Sequence, residues 1–200
     1  LVFADKINTV SPSYADEIKT AYYAYGMEGI LNARSSDLCG ILNGIDVDAF
    51  NPETDKYLKY HFSLSDMNGK YENKKALMRE LGLTVDPSTP LIGMISRLTS
   101  QKGFDLVMRV FNEIMQEKVA IVLLGTGDPM YESFFRGMEA SYKGRVCSYI
   151  AYDNALSHQI YAASDLFLMP SKFEPCGISQ MISLRYGTLP IVRETGGLRL

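Results

Sequence analysis

Short apolar runs alternate with segments in which apolar residues recur at helical spacing. The runs predict buried strands at residues 91–96, 120–125, 145–150, 165–169 and 189–192. Between them the pattern predicts helices over residues 103–117, 130–142 and 154–163, and a fourth that starts at Gly177 and ends at Gly187-Thr188. Apolar strands separated by helices are typical of a parallel sheet covered on both faces. The sequence therefore predicts an α/β fold with a doubly wound, Rossmann-like parallel sheet, in which ligands bind beyond the carboxyl ends of the strands.

The first part of the chain has a weaker pattern. Residues 7–12 predict a short strand and a turn, and Ser13 is placed as the N-cap of a helix that runs to Tyr22. Residues 38–45 predict a short strand that closes at the turn pair Asn43-Gly44. We place a hinge at residues 45–52 and expect a loop or loose helix over the polar, tyrosine-rich residues 53–70. A helix is predicted over residues 71–81.

Residues 169–197 contain the most informative stretch. An apolar strand ends at a loop broken by Pro170 and Pro175, and a helix follows from Gly177. Glu174 therefore lies just before a helix whose first backbone N–H groups are free to bind an anion. A carboxylate that faces an anion site suits a ligand with hydroxyl groups at one end and phosphate at the other, which is the shape of a nucleotide sugar. A helix-dipole partner is the plainer interpretation of Glu174.

Composition narrows the classes of function. The net charge of −3 argues against a protein held to nucleic acid by general electrostatics. No apolar run approaches the length of about 18 residues that spans a bilayer. The three cysteines form no paired motif, the two histidines lack metal-ligand spacing, and no Asp-x-Asp triplet is present. We expect no metal site, no disulfide framework and a reducing cytosol, with surface or packing roles for His61 and His158.

Two basic residues and one aromatic residue follow strands at the edge where ligands bind in such sheets. Arg97 and Lys102, five residues apart across a turn, could converge on one diphosphate, although solvated surface is the commoner role for such residues. Tyr152 could stack on a purine or simply pack against its neighbours. The glycines of Gly125-Thr126-Gly127 favour a tight turn over a dinucleotide fingerprint, whose third glycine position holds Met130.

Three motifs resemble one family. The motif Lys172-Phe173-Glu174-Pro175-Cys176-Gly177 is followed by residues 184–193 and by Thr195-Gly196-Gly197-Leu198, in the pattern of bacterial glycogen synthase and plant starch synthase. Residues 96–103 and 41–46 match the same family in the same order, and the resemblance covers essentially the whole chain. It implies the C-terminal domain of a two-domain GT-B glycosyltransferase, truncated at both ends. Residues 1–45 would be the end of the N-terminal, acceptor-side domain and the hinge, and residues 46–200 an incomplete nucleotide-sugar domain.

The resemblance also implies roles for individual residues. Arg97 and Lys102 would hold the donor's phosphates, and Glu174 would touch the hydroxyls of the donor sugar and stabilise positive charge at its anomeric carbon. Tyr152 would cover the adenine, and Asn43 would contact the sugar or the acceptor. The remaining predicted contacts are Cys176 through its backbone near the sugar, and the N–H groups of Gly177, Ile178 and Ser179 toward phosphate. Ile182 stands where many relatives have a second glutamate.

The activity implied is transfer of glucose from ADP-glucose to the non-reducing end of an α-1,4-glucan, with retention of configuration and without a metal or other cofactor. The residues by themselves do not show whether the donor is ADP-glucose or UDP-glucose; only the resemblance favours ADP-glucose. A non-catalytic nucleotide-binding module is a further alternative. We expect a cytoplasmic bacterial protein, or a plastid protein if the source is a plant. We expect residues 1–200 by themselves to bind ADP weakly and to synthesise no glucan, because half of the cleft would be missing.

Overall fold

The computed structural model describes residues 1–199, and a parallel sheet organises most of them. The strands are β1 (Ile7–Thr9), β2 (Leu38–Gly40), β3 (Leu91–Ile95), β4 (Ala120–Leu124), β5 (Val146–Tyr149), β6 (Leu166–Met169) and β7 (Leu189–Val192). The helices are α1 (Pro12–Glu17), α2 (Ala21–Ala24), α3 (Glu28–Ala33), α4 (Asn68–Glu80), α5 (Phe104–Ile114), α6 (Pro129–Ser141), α7 (Asn154–Ala163) and α8 (Ile178–Arg185). Short 3-10 turns lie at Ser100–Lys102 and Gly196–Leu198.

The main sheet has the strand order β5-β4-β3-β6-β7, and every pair in it is parallel. Strands β1 and β2 form a separate parallel pair. In the main sheet the chain builds from β3 outward through β4 and β5, then returns to the other side of β3 with β6 and β7. The predicted doubly wound α/β fold is confirmed. The reversal opens a crevice beyond the carboxyl ends of β3 and β6, where such sheets bind ligands.

Helices cover both faces of this sheet because the strand side chains alternate in direction. In β4, Ile121 and Leu123 pack on one face with Phe111 of α5, while Val122 and Leu124 pack on the other with Leu156 of α7. All five residues of β4 are buried. Complete burial of each such side chain stabilises the fold by about 1.5–3 kcal/mol. The almost wholly apolar strands therefore follow from a sheet that has no solvent-facing side.

The first helix differs from the prediction. Ser11, not Ser13, is the N-cap: its hydroxyl accepts the N–H of the third helical residue, and Pro12 occupies the first helical position, where its missing N–H removes no bond. The helix also stops short of Tyr22, because Thr20 has extended backbone and precedes a separate helix, α2. Two short helices, α1 and α2, thus replace the single helix that was predicted.

Two further boundaries in this region were wrong. The strand predicted over residues 38–45 ends at Gly40, because the strand with which it pairs in residues 1–199, β1, is three residues long and is cut short by the start of α1. Ile41 and Leu42 beyond it are exposed. Helix α4 begins at Asn68, three residues before the predicted start, and ends at Glu80. The domain division at residue 45 remains a prediction.

Residues 41–67 form a connection without regular helix or strand, as predicted for residues 53–67, and a buried polar cluster ties it to α7 and to the end of α8. The Asp55 carboxylate accepts a hydrogen bond from the Tyr186 hydroxyl and lies 2.7 Å from Nδ1 of His158. The His158 ring stacks on Phe50 with ring centroids 4.7 Å apart, so its packing role is confirmed. None of the helices in residues 1–199 combines the length and the apolar character that crossing a bilayer requires.

Candidate functional site

An ion pair occupies the crevice beyond β3 and β6. The Lys102 ammonium donates a hydrogen bond to Oε2 of Glu174 over 2.6 Å, and the Ser171 hydroxyl lies 3.3 Å from the same oxygen. Glu174 is only 8% exposed. Lys102 ends the 3-10 turn that follows β3, and Glu174 lies in the loop that follows β6. The sheet's reversal point therefore brings together two residues 72 positions apart in the sequence.

Backbone contacts fix the relative position of these two loops. The N–H of Lys172 donates to the carbonyl of Gln101 over 2.9 Å. Gly103 has a left-handed φ of 75°, and any side chain there would run into the carbonyl oxygen of Pro170. The Lys172 ammonium also pairs with Asp105, at 2.9 Å, in the first turn of α5. The close approach of the two loops thus depends on a residue without a side chain at position 103.

A glycine turn supports the Glu174 loop from its other side. The N–H of Gly197 donates to the carbonyl of Glu174 over 2.8 Å. Side chains at Gly196 and Gly197 would collide with the backbones of Glu174 and Cys176 respectively. Gly196 also has a positive φ of 50°. The Glu174 loop is therefore held between two backbone segments before any ligand arrives.

A cavity of about 250 Å³ lies at the carboxyl ends of β3, β4 and β5. Arg97 and Tyr152 line it, and both side chains are exposed. Gly125 lets the loops after β3 and β4 approach each other, because a side chain there would run into the carbonyl of Ser96. The other lining residues include the first residues of α7, whose N-terminus is capped by the Asp153 side chain. Polar, aromatic and backbone groups thus converge at the carboxyl edge of the sheet, the edge at which the ion pair also lies.

Helix α8 begins at the site. Its N-cap, Gly177, has a φ of 79° and is buried against Gly197 and Leu198. The backbone N–H groups at the start of a helix have no intrahelical partner, so those of Ile178 and Ser179 can bind an anion. Burial raises the pKa of Tyr161, in helix α7, to about 12, so this tyrosine stays protonated at neutral pH.

Not every residue that the sequence assigned to the donor site lies in contact with the others in the structure. Asn43 is exposed in the connection after β2, and within residues 1–199 no side-chain hydrogen bond joins it to Arg97, Lys102 or Glu174. The Cys176 side chain is buried, two residues after Glu174 in the same loop. In the part of the chain that the structure describes, no group of three or more His, Cys, Asp or Glu side chains could hold a metal ion.

Some contacts at the site were not predicted. Ser171, fully buried beside the Glu174 carboxylate, stands three residues before it, a spacing that suits a turn contact. Glu17, at the end of α1, accepts hydrogen bonds from Thr195 and Gly196. No local pattern connects Glu17 with residues so distant in the sequence.

Comparison with known proteins agrees with this geometry. The family model for glycosyl transferases group 1 matches residues 80–199, and the model for the starch synthase catalytic domain matches residues 1–33. The glycogen synthase of Geobacillus thermodenitrificans is 56% identical over 198 residues, which are 99% of this chain and 41% of the relative. The glycogen synthase of Streptococcus sanguinis is 52% identical over 199 residues, 100% of this chain and 42% of the relative. The chain thus spans about two fifths of the length of these relatives.

Solved structures show the same similarity. The catalytic domain of starch synthase IV from Arabidopsis thaliana, bound to ADP and acarbose, superposes with a TM-score of 0.93 at 47% identity, covering 98% of this chain and 41% of that one. Anabaena HepE in complex with UDP and glucose has a TM-score of 0.65 at 18% identity, covering 98% and 46%, and so shares the fold alone. The resemblance to glycogen and starch synthases and the GT-B fold are confirmed. The chain belongs to the glycosyl transferases group 1 family.

Proposed function

We propose that this chain holds the donor site of a glycogen or starch synthase. The enzyme would transfer glucose from ADP-glucose to the non-reducing end of an α-1,4-glucan with retention of configuration. The observation that carries the proposal is the Lys102–Glu174 pair at 2.6 Å, which follows β3 and β6 at the same edge of the sheet as the cavity lined by Arg97 and Tyr152. The Lys102 cation, which can bind phosphate, is there in direct contact with the Glu174 carboxylate, which can accept hydrogen bonds from sugar hydroxyls. That is the arrangement required at the junction between the sugar and the diphosphate of one ligand.

The diphosphate end is assigned to the cations and the helix terminus. Arg97 has an exposed guanidinium at the mouth of the cavity and could bind phosphate oxygens in a bidentate manner. Lys102 and the free N–H groups of Ile178 and Ser179 would stabilise the negative charge that develops on the leaving diphosphate. Within this proposal no metal ion is required, since these groups supply the positive charge.

The sugar end is assigned to Glu174 and the backbone of Cys176. As the bond from the anomeric carbon to the phosphate oxygen breaks, positive charge develops on the sugar, and a fixed carboxylate nearby stabilises it. The acceptor hydroxyl then attacks from the face that the phosphate leaves, and its proton passes to the departing phosphate oxygen. Asn43 is proposed to contact the sugar or the acceptor once substrates are bound.

The base end is assigned to Tyr152, whose ring is 89% exposed at the rim of the cavity and is free to stack on adenine. The ADP bound to the starch synthase IV domain, which is 47% identical to this chain, supports ADP-glucose as the donor. We include in the proposal a cytoplasmic location in a bacterium, or a plastid location in a plant.

The test is donor-dependent glucan synthesis by the purified full-length gene product. With glycogen as acceptor, ADP-glucose should give new α-1,4 linkages, UDP-glucose should be a poor donor, and chelation of divalent metals should leave the rate unchanged. Proton NMR of the product distinguishes α from β linkages and so reports retention. Preference for UDP-glucose would identify a relative that uses the other base, and ADP binding without any transfer would identify a nucleotide-binding module instead.

A further inference from the structure

Glu17 joins the first part of the chain, residues 1–45, to the turn that follows β7. This residue ends α1, and its Oε1 accepts a hydrogen bond of 3.0 Å from the Thr195 hydroxyl and one of 2.8 Å from the Gly196 N–H. The partners are 178 and 179 positions away in the sequence. Thr195 and Gly196 are both buried. This is a specific polar contact between α1 and the glycine turn that follows β7.

The position of Glu17 within α1 does not explain this side chain. A carboxylate at the C-terminal end of a helix faces the negative end of the helix dipole, which is unfavourable. A helix of six residues also gains little stability by itself. The two hydrogen bonds from the turn compensate for both effects, because hydrogen bonds to an ionised acceptor are about twice as strong as neutral ones.

The turn that Glu17 holds lies directly against the Glu174 loop. The N–H of Gly197 donates to the Glu174 carbonyl over 2.8 Å, and neither Gly196 nor Gly197 has room for a side chain beside Glu174 and Cys176. A chain of short backbone contacts thus runs from the Glu17 carboxylate through the turn to Glu174. The cavity lined by Arg97 and Tyr152 is formed by other loops, those after β3, β4 and β5.

We infer that Glu17 is a positioning residue for the sugar end of the site. It fastens the glycine turn and thereby sets the placement of Glu174, so that the arrangement of residues 1–45 affects the reacting end of the donor and not its nucleotide end. The inference rests on the proposed function for its kinetic consequence. Its structural consequence, the order of the turn, stands independently of the reaction.

Kinetics of the full-length gene product test the inference. In Glu17→Ala, kcat for glucan synthesis should fall on the order of tenfold to a hundredfold, since small displacements of a reacting group have effects of that size. ADP affinity measured by calorimetry should be unchanged. Glu17→Gln keeps an oxygen that can accept both hydrogen bonds, and it should recover most of kcat. Asp16→Ala is the matched control, because Asp16 is the neighbouring acid, is exposed and forms its ion pair with Lys19 of its own segment, and its loss should leave kcat unchanged.

Hydrogen exchange gives a measurement that does not depend on activity. Amides in peptides covering residues 193–199 should exchange faster in Glu17→Ala than in the parent and in Glu17→Gln. If Glu17→Ala does not fold, Thr195→Val removes one of the two donors while keeping the shape of the side chain, and it should show a smaller change of the same kind. Parental kcat in a folded Glu17→Ala, parental exchange in this segment, or equal loss in the alanine and glutamine variants would overturn the inference. A parent protein that makes no glucan, with exchange still faster in Glu17→Ala, would refute the proposed function and leave the role of Glu17 in ordering the turn standing.

Discussion

Replacing Glu174 with glutamine should tighten ADP binding while it slows glucose transfer. In the structure the Lys102 ammonium is engaged by the Glu174 carboxylate at 2.6 Å. A diphosphate that binds Lys102 must either share the ammonium with Glu174 or displace Glu174 from it. In Glu174→Gln the competing acceptor is neutral, and the ammonium is more readily released to the phosphate.

The size of the gain follows from the strength of the hydrogen bond. A hydrogen bond to a charged group contributes about 1.5–3 kcal/mol, and a neutral one about 1 kcal/mol. We take these two values as the limits for the Lys102 bond to glutamate and to glutamine, because the bond from the ammonium to an amide is weaker than the one to a carboxylate. The difference, about 0.5–2 kcal/mol, corresponds to ADP binding roughly 2-fold to 30-fold tighter. Turnover should fall in the same variant, because the carboxylate charge matters most when the anomeric carbon becomes positive.

Calorimetric titration of ADP into four proteins measures the effect: the parent, Glu174→Gln, Lys102→Met and the double variant. If competition for Lys102 is the cause, the gain from Glu174→Gln should disappear in the Lys102→Met background. Equal or weaker ADP binding by Glu174→Gln would refute the reasoning. The same gain in both backgrounds would show that plain repulsion between the carboxylate and the diphosphate sets the affinity.

Three further predictions concern other parts of the chain. Arg97→Ala should weaken ADP binding by about 1.5–3 kcal/mol, the range for a charge-assisted hydrogen bond, whereas Arg136→Ala on the outer surface of α6 should have no effect in the same titration. Tyr152→Ala should weaken ADP binding by about 1–3 kcal/mol through loss of stacking, and Tyr152→Phe should bind like the parent. In the native protein at pH 8, iodoacetamide should alkylate the exposed Cys39 much faster than Cys147, whose pKa burial raises to about 11.

Each of these has a clear contrary outcome. Equal ADP affinity in Arg97→Ala and Arg136→Ala would remove Arg97 from the phosphate site. Binding by Tyr152→Ala that matches Tyr152→Phe would show that the ring does not cover the base. Mass spectrometry of the alkylated protein would contradict the burial of Cys147 if this thiol reacted as fast as Cys39.

The sequence predicted the sheet well, because its signal is local and repeated. In β4 every side chain is buried between two helical layers, so the strand had to be uniformly apolar and was recognisable without other information. The α1 region was less predictable, since Ser11 and Ser13 are both plausible caps. The structure decides between them, because the Ser11 backbone is extended and its hydroxyl accepts the Tyr14 N–H.

The site was predictable in its parts and not in its contacts. Arg97, Lys102 and Glu174 were identified one by one, from their positions after strands and from the family resemblance. Their separate assignments to phosphate and sugar gave no indication that Lys102 and Glu174 contact each other. The contact between Glu17 and Gly196 joins residues 179 positions apart and follows no period, so only the folded chain reveals it.

The two members of the central ion pair differ in how firmly the fold holds them, and this difference suits the proposed chemistry. Backbone approaches at Gly103, Gly196 and Gly197 hold the Glu174 loop from both sides, which fixes its carboxylate before a donor arrives. A group fixed in advance requires no reorganisation when charge develops on the sugar. Lys102 instead reaches Glu174 through a flexible four-carbon stem, so its ammonium can move to a phosphate oxygen without disturbing the backbone. The fixed carboxylate and the movable cation can therefore pair with each other and, on donor binding, separate onto the two ends of one donor.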